Sequence, residues 1–348
     1  MALLNRTRAS VLLAAVILIV AWDHSVRPAL AQEPSTRAAF LKLIDRPRVP
    51  LAAEVSAWPP EGRFAREHFT FTTETGERVP GLAVRLAKSA GRRPAVMVLH
   101  GTGDSKEGMV PLLEAVADRG FLAVAIDGRH HGERAVGSND YVRAILRAYR
   151  TSDGYPFLYD TVWDAMRLVD YLQSRADVDG TRIGMIGISK GGMETYLAAA
   201  ADPRIAAAVP AIGVQSFRWA LEHDAWQSRV ETILGAVAGA ARDSLAPLDA
   251  EFVRHFYDRV VPGIYEGFDG PAMLPLIAPR PLLVVIGDSD ALTPLAGVQE
   301  AAAAAERAYR SAGAPEKFRL LVQPDTGHEF TVGAQRTALD WLVRWLKP

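Results

Sequence analysis

The chain has 348 residues, of which 49% are hydrophobic and 23% are charged, a composition typical of a globular protein with a large core. Its 39 basic and 40 acidic side chains give a formal net charge of -1, so no overall positive field favours nucleic acid or an anionic membrane. The absence of cysteine excludes disulfide bonds, a cysteine nucleophile and cysteine-ligated metal centres. This composition excludes a disordered tail, whereas the length is compatible with one to three domains.

The N-terminal segment has the order of features that a signal peptidase recognises. Arg6 and Arg8 precede an apolar run over residues 9–22, and a short polar stretch then leads to a small-x-small triplet that ends at Ala31. The apolar run is shorter than the ~20 residues that span a bilayer, which favours cleavage after Ala31 over an uncleaved anchor. We expect residues 1–31 to be a signal peptide and the mature protein to be secreted or periplasmic, without stable membrane insertion.

The chain after the N-terminal segment shows patterns typical of strands and helices. Residues 32–63 contain frequent prolines and little periodicity, so we expect a linker or a wrap over the surface. Two β-rich runs, residues 68–73 and 79–86, predict a hairpin.

Amphipathic helical stretches such as residues 161–172 then alternate with short apolar runs. These runs predict buried strands at residues 95–99, 122–126, 183–188, 205–209, 282–286 and 318–322. The alternation indicates an α/β fold with a mostly parallel sheet covered on both faces, over a domain at residues 64–348.

One interval breaks the alternation. Residues 215–279 lack a clear strand and carry several aromatic side chains on helical segments. We interpret this interval as a helical, lid-like insertion over the sheet. Aromatic residues at helical spacing pack in cores more often than they grip a substrate ring, so a purely structural role is the alternative.

The most informative motif is Gly187-Ile188-Ser189-Lys190-Gly191, which lies between a predicted strand and a helical segment. In a nucleophile elbow of this G-x-S-x-G type, the serine projects from a sharp turn above the sheet, and glycines avoid collisions with neighbouring backbone. The flanking elements favour this interpretation over a strand-to-helix turn with a capping serine. Ser189 is therefore the candidate nucleophile.

A serine nucleophile needs a base, and an acid that holds the base in the correct tautomer. His328 follows the last predicted strand and is the candidate base; a surface-loop histidine is the alternative. Asp290 follows the preceding strand and fits a G-x-x-D-x-x-x-P spacing, so we prefer it to Asp288 as the acid. Asp325 is interpreted as a turn residue. The order Ser, Asp, His is the one expected for an α/β-hydrolase.

The tetrahedral intermediate of such a reaction also needs hydrogen-bond donors for its oxyanion. A predicted strand runs into His100-Gly101-Thr102-Gly103 beside the elbow. We predict that the backbone N–H groups of Thr102 and Lys190 form the oxyanion hole. His100 is interpreted as a structural residue that fixes the loop, and the Lys190 ammonium is expected to point to solvent.

Together these segments resemble the α/β-hydrolase superfamily over roughly residues 64–346, and most closely its dienelactone hydrolase-like and acetyl xylan esterase-like branches. The resemblance is carried by His100-Gly101-Thr102-Gly103, Asp127-Gly128-Arg129-His130-His131-Gly132, Gly187-Ile188-Ser189-Lys190-Gly191-Gly192, Asp290 and Gly327-His328. It implies a Ser-His-Asp hydrolase that acts through an acyl-enzyme and has no cofactor. Dienelactone hydrolases have a cysteine nucleophile, which this chain lacks.

Adjacent histidines such as His130 and His131 point in different directions on an extended chain. We therefore predict that they serve loop packing and hydrogen bonding rather than a shared metal. Because no spaced set of metal ligands such as H-E-x-x-H is present, we predict no catalytic metal.

The predicted function is an exported serine esterase that cleaves the carboxylic ester of a small or carbohydrate-linked substrate. Its partner is that ester, with no nucleic acid, and the oligomeric state stays open. One alternative is a serine peptidase of the prolyl-oligopeptidase type, although such enzymes usually carry a large N-terminal propeller for which the segment ahead of the first hairpin is too short. The other alternative is a catalytically silent hydrolase fold that serves as a binding module.

Overall fold

The structure is a computed structural model that describes residues 35–59 and 62–347. The predicted signal peptide, residues 1–31, lies outside the described residues. The described part of the chain contains nine strands, which all belong to one sheet. They are β1 (Glu54–Ala57), β2 (Phe64–Glu74), β3 (Glu77–Leu86), β4 (Arg93–Leu99), β5 (Leu122–Ile126), β6 (Val178–Ile188), β7 (Ile205–Ala211), β8 (Leu282–Gly287) and β9 (Phe318–Gln323).

The order of the strands in the sheet is β1-β2-β3-β5-β4-β6-β7-β8-β9. The pairs β1–β2, β2–β3 and β3–β5 are antiparallel, and β2 and β3 form the predicted hairpin. The remaining pairs are parallel. Strands β4, β5 and β8 are buried along their whole length, which explains their continuous apolar sequences. The predicted fold class, a mostly parallel sheet flanked by helices, is confirmed.

Helices cover both faces of the sheet. They are α1 (Thr36–Ile44), α2 (Val110–Asp118), α3 (Asp140–Thr151), α4 (Tyr159–Ser174), α5 (Lys190–Ala201), α6 (Phe217–Glu222), α7 (Gln227–Val230), α8 (Leu234–Asp243), α9 (Ala250–Val260), α10 (Gly270–Met273), α11 (Leu295–Ser311) and α12 (Val332–Leu346). Alternate residues of β4 serve opposite faces: Val96 and Val98 join the core with α2 and α12, whereas Met97 and Leu99 join the core with α4 and α5. No helix in the described ranges is long and apolar enough to cross a membrane.

The segment ahead of β2 carries two elements that the sequence analysis did not predict. Helix α1 buries Phe40 and Ile44, and Ser35 caps it by accepting a hydrogen bond from the backbone N–H of Ala38. Arg37 Nε donates to the carbonyl oxygen of Ala200 at 2.7 Å, which ties α1 to α5. Strand β1 is exposed throughout and pairs with β2 as an edge strand. Such a short helix with two buried residues leaves only a weak periodic signal in the sequence.

Residues 215–279 form the predicted helical insertion between β7 and β8, and this interval contains α6 to α10. Its aromatic rings pack largely on one another. Phe217 lies 5.3 Å from Tyr257 in an edge-to-face arrangement, and Tyr257 lies 6.0 Å from Tyr265. All three side chains are buried, so core packing accounts for most of these aromatic residues.

Candidate active site

Ser189 occupies the turn between β6 and α5. Its backbone has φ 57° and ψ -116°, a strained conformation for a residue with a side chain, and this strain lifts the hydroxyl above the sheet. A Cβ atom at Gly187 would lie 2.1 Å from the carbonyl oxygen of Gly191, and one at Gly191 would lie 2.4 Å from that of Leu99. Close backbone approach therefore requires glycine at both positions, as the motif predicts.

The structure brings Ser189, His328 and Asp290 into one hydrogen-bonded chain. His328 Nε2 lies 2.8 Å from Ser189 Oγ, and His328 Nδ1 lies 2.8 Å from Asp290 Oδ2. Since an ionised carboxylate only accepts, Nδ1 carries the hydrogen and Nε2 is the acceptor for the serine hydroxyl. Asp290 Oδ1 accepts from the backbone N–H groups of Leu292 at 2.9 Å and Thr293 at 3.0 Å, which fixes the carboxylate.

Asp288 takes a different place. It is exposed, and its carboxylate accepts hydrogen bonds from the backbone N–H groups of Asp325 and Thr326 at 3.0 and 3.1 Å. The bond from Asp325, with those from Ser289 and Thr326, lowers the pKa of the Asp288 carboxyl below its ordinary value. Asp325 itself has φ 50°, which suits its interpretation as a turn residue. Of the two candidate acids, only Asp290 hydrogen-bonds to the histidine.

The loop after β4 lies beside the elbow. The backbone N–H groups of Thr102 and Lys190 have no hydrogen-bond acceptor within residues 35–59 and 62–347. His100 donates from Nδ1 to the carbonyl oxygen of Gly101 at 2.8 Å and accepts at Nε2 from the N–H of Gly128 at 2.9 Å. Burial, with the nearby positive charge of Lys190, lowers the pKa of His100 well below its ordinary value, so the ring is neutral. His100 thus joins two loops and makes no hydrogen bond to Ser189.

The expectation that the Lys190 ammonium points to solvent is wrong. The side chain is buried, and Nζ lies 2.6 Å from Oε1 of Glu194, one turn along α5. Every residue of α5 is buried, so the helix offers a charged side chain no route to water. Burial raises the pKa of Glu194 to about 7, although the Lys190 ammonium opposes that shift.

A cavity of about 20 Å³ lies next to Ser189. The helical insertion supplies part of its wall, and the loops that carry the serine and the histidine supply the rest. The lining residues are Thr102, Phe157, Ser189, Met193, Gln215, Phe217, Ser228, Arg229, Thr232, Tyr257, Leu292, Thr293 and His328. The insertion therefore contributes side chains to the site, a role that the sequence analysis left open.

Two lining residues, Arg229 and Gln215, were missed from the sequence. Both are buried, with 4% and 8% of their surface exposed. Arg229 Nε donates to Ser228 Oγ at 3.0 Å, and Nη2 donates to the carbonyl oxygen of Leu292. Neither residue belongs to a recognisable motif, and only the packing of the insertion over the sheet brings them to the cavity.

The two histidines after β5 form hydrogen bonds in and beside their loop. His130 Nδ1 lies 2.9 Å from Asp140 Oδ2, whereas His131 donates from Nδ1 to the carbonyl oxygen of Arg129 at 2.7 Å. Burial lowers the pKa of His131 to about 3. Within the described residues, no group of three or more His, Asp or Glu side chains is arranged to hold a metal ion.

Five charged residues form a network beside this loop, which we call the Asp164 cluster: Glu74, Glu77, Arg129, Arg134 and Asp164. Arg129 Nε and Arg134 Nη1 each donate to Asp164 Oδ2 at 2.8 Å. The second carboxylates are Glu74 for Arg129, at 2.5 Å, and Glu77 for Arg134, at 2.9 Å. Glu77 Oε1 also lies 3.7 Å from Arg129 Nη1, so Arg129 has three carboxylate partners and Arg134 has two.

The order of strands, together with a serine at the strand-to-helix turn and its hydrogen-bonded histidine and aspartate, places this chain in the α/β-hydrolase class. Comparison with protein families narrows the assignment. The model of the prolyl oligopeptidase family, Peptidase_S9, matches residues 109–348. The chain belongs to this family of hydrolases.

Individual relatives agree with this assignment. YtaP of Bacillus subtilis (strain 168), a protein named as a hydrolase, is 28% identical over 284 residues, which cover 78% of this chain and 84% of that protein. The acetyl xylan esterase from Paenibacillus sp. R4 has a TM-score of 0.65 and 23% identity, and the alignment covers 89% of this chain and 92% of that one. The glucuronoyl esterase from Solibacter usitatus has a TM-score of 0.63 and 16% identity, with coverages of 90% and 92%. The two structural likenesses show a shared fold.

Proposed function

We propose that the protein is an exported serine esterase that cleaves a small-acyl or carbohydrate-linked carboxylic ester through an acyl-enzyme. The observation that carries the proposal is the hydrogen-bonded chain from Ser189 through His328 to Asp290, which opens on a cavity. A hydroxyl, an imidazole and a carboxylate in this order form a general-base-activated nucleophile.

In the first half of the reaction, Ser189 Oγ forms a bond to the ester carbonyl carbon while His328 Nε2 takes the hydroxyl proton. Asp290 stabilises the imidazolium through its bond to Nδ1. The bond between the carbonyl carbon and the alcohol oxygen then breaks, and the leaving alcohol takes the proton from Nε2. In the second half, water attacks the acyl group with the same proton relay, which releases the carboxylic acid and restores the Ser189 hydroxyl.

The backbone N–H groups of Thr102 and Lys190 are the proposed donors to the oxyanion. Two facts support this role: neither amide has another acceptor among the described residues, and Thr102 lines the cavity with Ser189. Lys190 is also the first residue of α5, where the helix dipole favours negative charge.

The substrate class rests on the cavity and on the relatives. The cavity next to Ser189 is narrow, which favours a short acyl chain beside the nucleophile. Two proteins of similar fold are named as an acetyl xylan esterase, with a two-carbon acyl group on a polysaccharide, and a glucuronoyl esterase, with the sugar on the acyl side. The cavity and the first name support a small acyl group, and both names support a carbohydrate-linked substrate.

The test is the hydrolysis of p-nitrophenyl esters, from acetate to octanoate, by the processed protein and by its Ser189→Ala variant. We expect acetate to be the best substrate, a fall in kcat/KM with chain length, and a loss of about 10⁴-fold or more in the variant. Full activity of a folded Ser189→Ala protein would contradict the proposal.

Two controls separate the alternatives. Turnover of peptide p-nitroanilides without turnover of esters would favour a peptidase, in agreement with the family match. A folded protein that turns over neither substrate would favour a binding module.

Export rests on the N-terminal pattern of basic, apolar and small residues. We expect the protein in the periplasm or medium of its host, with Gln32 as its first residue in N-terminal sequencing. An intact N-terminus in the membrane fraction would indicate an anchor.

A further inference from the structure

Arg229 is a buried cation on the wall of the cavity beside Ser189. Its exposed fraction is 4%, and no carboxylate within the described residues lies at ion-pair distance from it. A guanidinium removed from water without a counter-ion is costly, and native structures rarely keep one without a reason. The surroundings of Arg229 therefore need an explanation.

The partners that Arg229 does have are neutral. Nε donates to the hydroxyl of Ser228, Nη2 donates to the carbonyl oxygen of Leu292, and Nη1 has no acceptor in the part of the chain that the structure describes. The ring of Phe217 lies 5.4 Å from the guanidinium carbon and offsets part of the charge. Burial lowers the pKa of Arg229 to about 10, so the side chain is still a cation at neutral pH.

The carboxylate of Asp290 does not fill this role. Its Oδ2 is engaged with His328, and its Oδ1 accepts from the backbone N–H groups of Leu292 and Thr293. Both oxygens are thus committed to the proton relay and its loop. The cation of Arg229 is left for another group.

Gln215 gives a second, independent observation in the same cavity. Its side chain is 8% exposed, and its Oε1 is buried without a hydrogen-bond partner among the described residues. The carboxamide as a whole makes no hydrogen bond to any described residue. Rotation about its last side-chain bond presents either an oxygen acceptor or an NH₂ donor to the cavity. A buried guanidinium without a counter-ion and a buried amide oxygen without a hydrogen-bond partner among the described residues therefore line one cavity, and a bound ligand is the ordinary way to satisfy them.

We propose, building on the esterase function above, that Arg229 and Gln215 form a subsite for a carboxylate of the substrate. The protein then prefers esters that carry a free carboxylate in addition to the ester group. Arg229 Nη1 provides charge-assisted donors, and the Gln215 amide provides a further neutral donor. The hydroxyl of Ser228 and the ring of Phe217 hold the guanidinium at the wall.

Two matched pairs of substrates test the subsite. The first is 3-acetoxybenzoate against 3-acetoxybenzamide, which places the carboxylate on the alcohol side of the scissile bond. The second is monoethyl succinate against ethyl 4-oxopentanoate, which places it on the acyl side. We expect the anionic member of at least one pair to have a kcat/KM about 10- to 100-fold above that of its neutral partner, as for a buried charge-assisted hydrogen bond.

The ratio within each pair is the readout, because it cancels any change in the proton relay. Arg229→Gln should bring the ratio close to one, Arg229→Lys should keep part of the preference by retaining the charge, and Gln215→Leu should lower it by a few-fold. If Arg229 only holds the acid loop through the Leu292 carbonyl, Arg229→Gln lowers both members equally, and the proposal is overturned. Turnover that depends on Ser189 but shows a wild-type ratio near one in both pairs overturns the subsite and leaves the esterase standing.

A binding measurement covers the case in which no ester is turned over and the proposed function fails. Calorimetry with 3-hydroxybenzoate and 3-hydroxybenzamide then compares the wild-type protein with Arg229→Gln. Tighter binding of the benzoate, lost in the variant, supports the subsite. Equal or absent binding of both compounds overturns it.

Discussion

Two buried arginines show opposite ways of holding a charge. In the Asp164 cluster, Arg129 is 8% exposed and donates to the carboxylates of Asp164 and Glu74. On the cavity wall, Arg229 is 4% exposed and has a hydroxyl, a carbonyl oxygen and an aromatic ring as neighbours. The charge of Arg129 stabilises the fold and is neutralised by carboxylates of the same fold. The charge of Arg229 has no counter-ion among the described residues, so it is available to a ligand.

Buried carboxyls show the same contrast. Burial alone would raise the pKa of Asp164, but Arg129 and Arg134 lower it far below its ordinary value. Asp269 has no ion-pair partner in the described ranges, and burial raises its pKa to about 7. Asp164, held between two arginines, therefore stays charged, whereas the unpaired Asp269 titrates near neutral pH.

The largest effect is expected where the reacting groups border the cavity. Asp290→Asn places an amide against His328 Nδ1 and favours the wrong tautomer, so we expect kcat for p-nitrophenyl acetate to fall by about 10³- to 10⁴-fold. Asp288→Asn is the matched control, because Asp288 accepts from backbone N–H groups and makes no hydrogen bond to the histidine; we expect a loss of less than about 10-fold there. The reverse order would assign the acid to Asp288.

The comparison of the two arginines has a direct test in stability. Arg129→Met leaves the buried Asp164 with one arginine instead of two, and we expect the free energy of unfolding to fall by about 3–5 kcal/mol. Arg229→Met removes a charge without a counter-ion, and we expect a change of less than about 1 kcal/mol. Urea denaturation of both variants measures the two changes in the free energy of unfolding. Equal losses would break the distinction between the two regions.

The unpaired carboxyl predicts a pH dependence. Because the folded-state pKa of Asp269 is raised, its contribution favours folding at low pH and is lost as the pH rises from about 4 to about 7. Asp269→Asn removes this titration, so the variant should gain roughly 2–4 kcal/mol relative to wild type between those pH values. Urea titrations at both ends of that range test it, and parallel pH profiles for the two proteins would contradict it.

The smallest effect concerns two buried glutamines. Gln323 donates to the carbonyl oxygen of Glu329 and accepts from the backbone N–H and hydroxyl of Thr331, whereas the Gln215 oxygen has no partner within the described residues. We expect Gln323→Leu to cost about 1–3 kcal/mol and Gln215→Leu to change stability by less than about 0.5 kcal/mol. Melting temperatures of the pair give the result. A larger loss for Gln215→Leu would point to a structural bond at that site.

The sequence predicted the sheet well because buried parallel strands are short apolar runs with a helix between each pair, as Leu122–Ile126 and Leu282–Gly287 are. The nucleophile elbow was equally predictable from the sequence, because its glycines avoid collisions with neighbouring backbone. Burial that depends on distant packing left no local signal. Lys190 was expected in solvent, and Arg229 was overlooked, since each is enclosed by elements far away in the chain.

The start of the helical insertion lies close to a position near its end. The backbone N–H of Gly270 donates to the carbonyl oxygen of Gln215 at 3.0 Å, so this single bond ties the start of the segment to a position near its end. Ser189, Asp290 and His328 lie outside the enclosed stretch, whereas Arg229 lies within it. Sequence changes within the stretch can therefore alter the side chains that line the cavity, Arg229 among them, without replacing any of the three residues of the hydrogen-bonded chain.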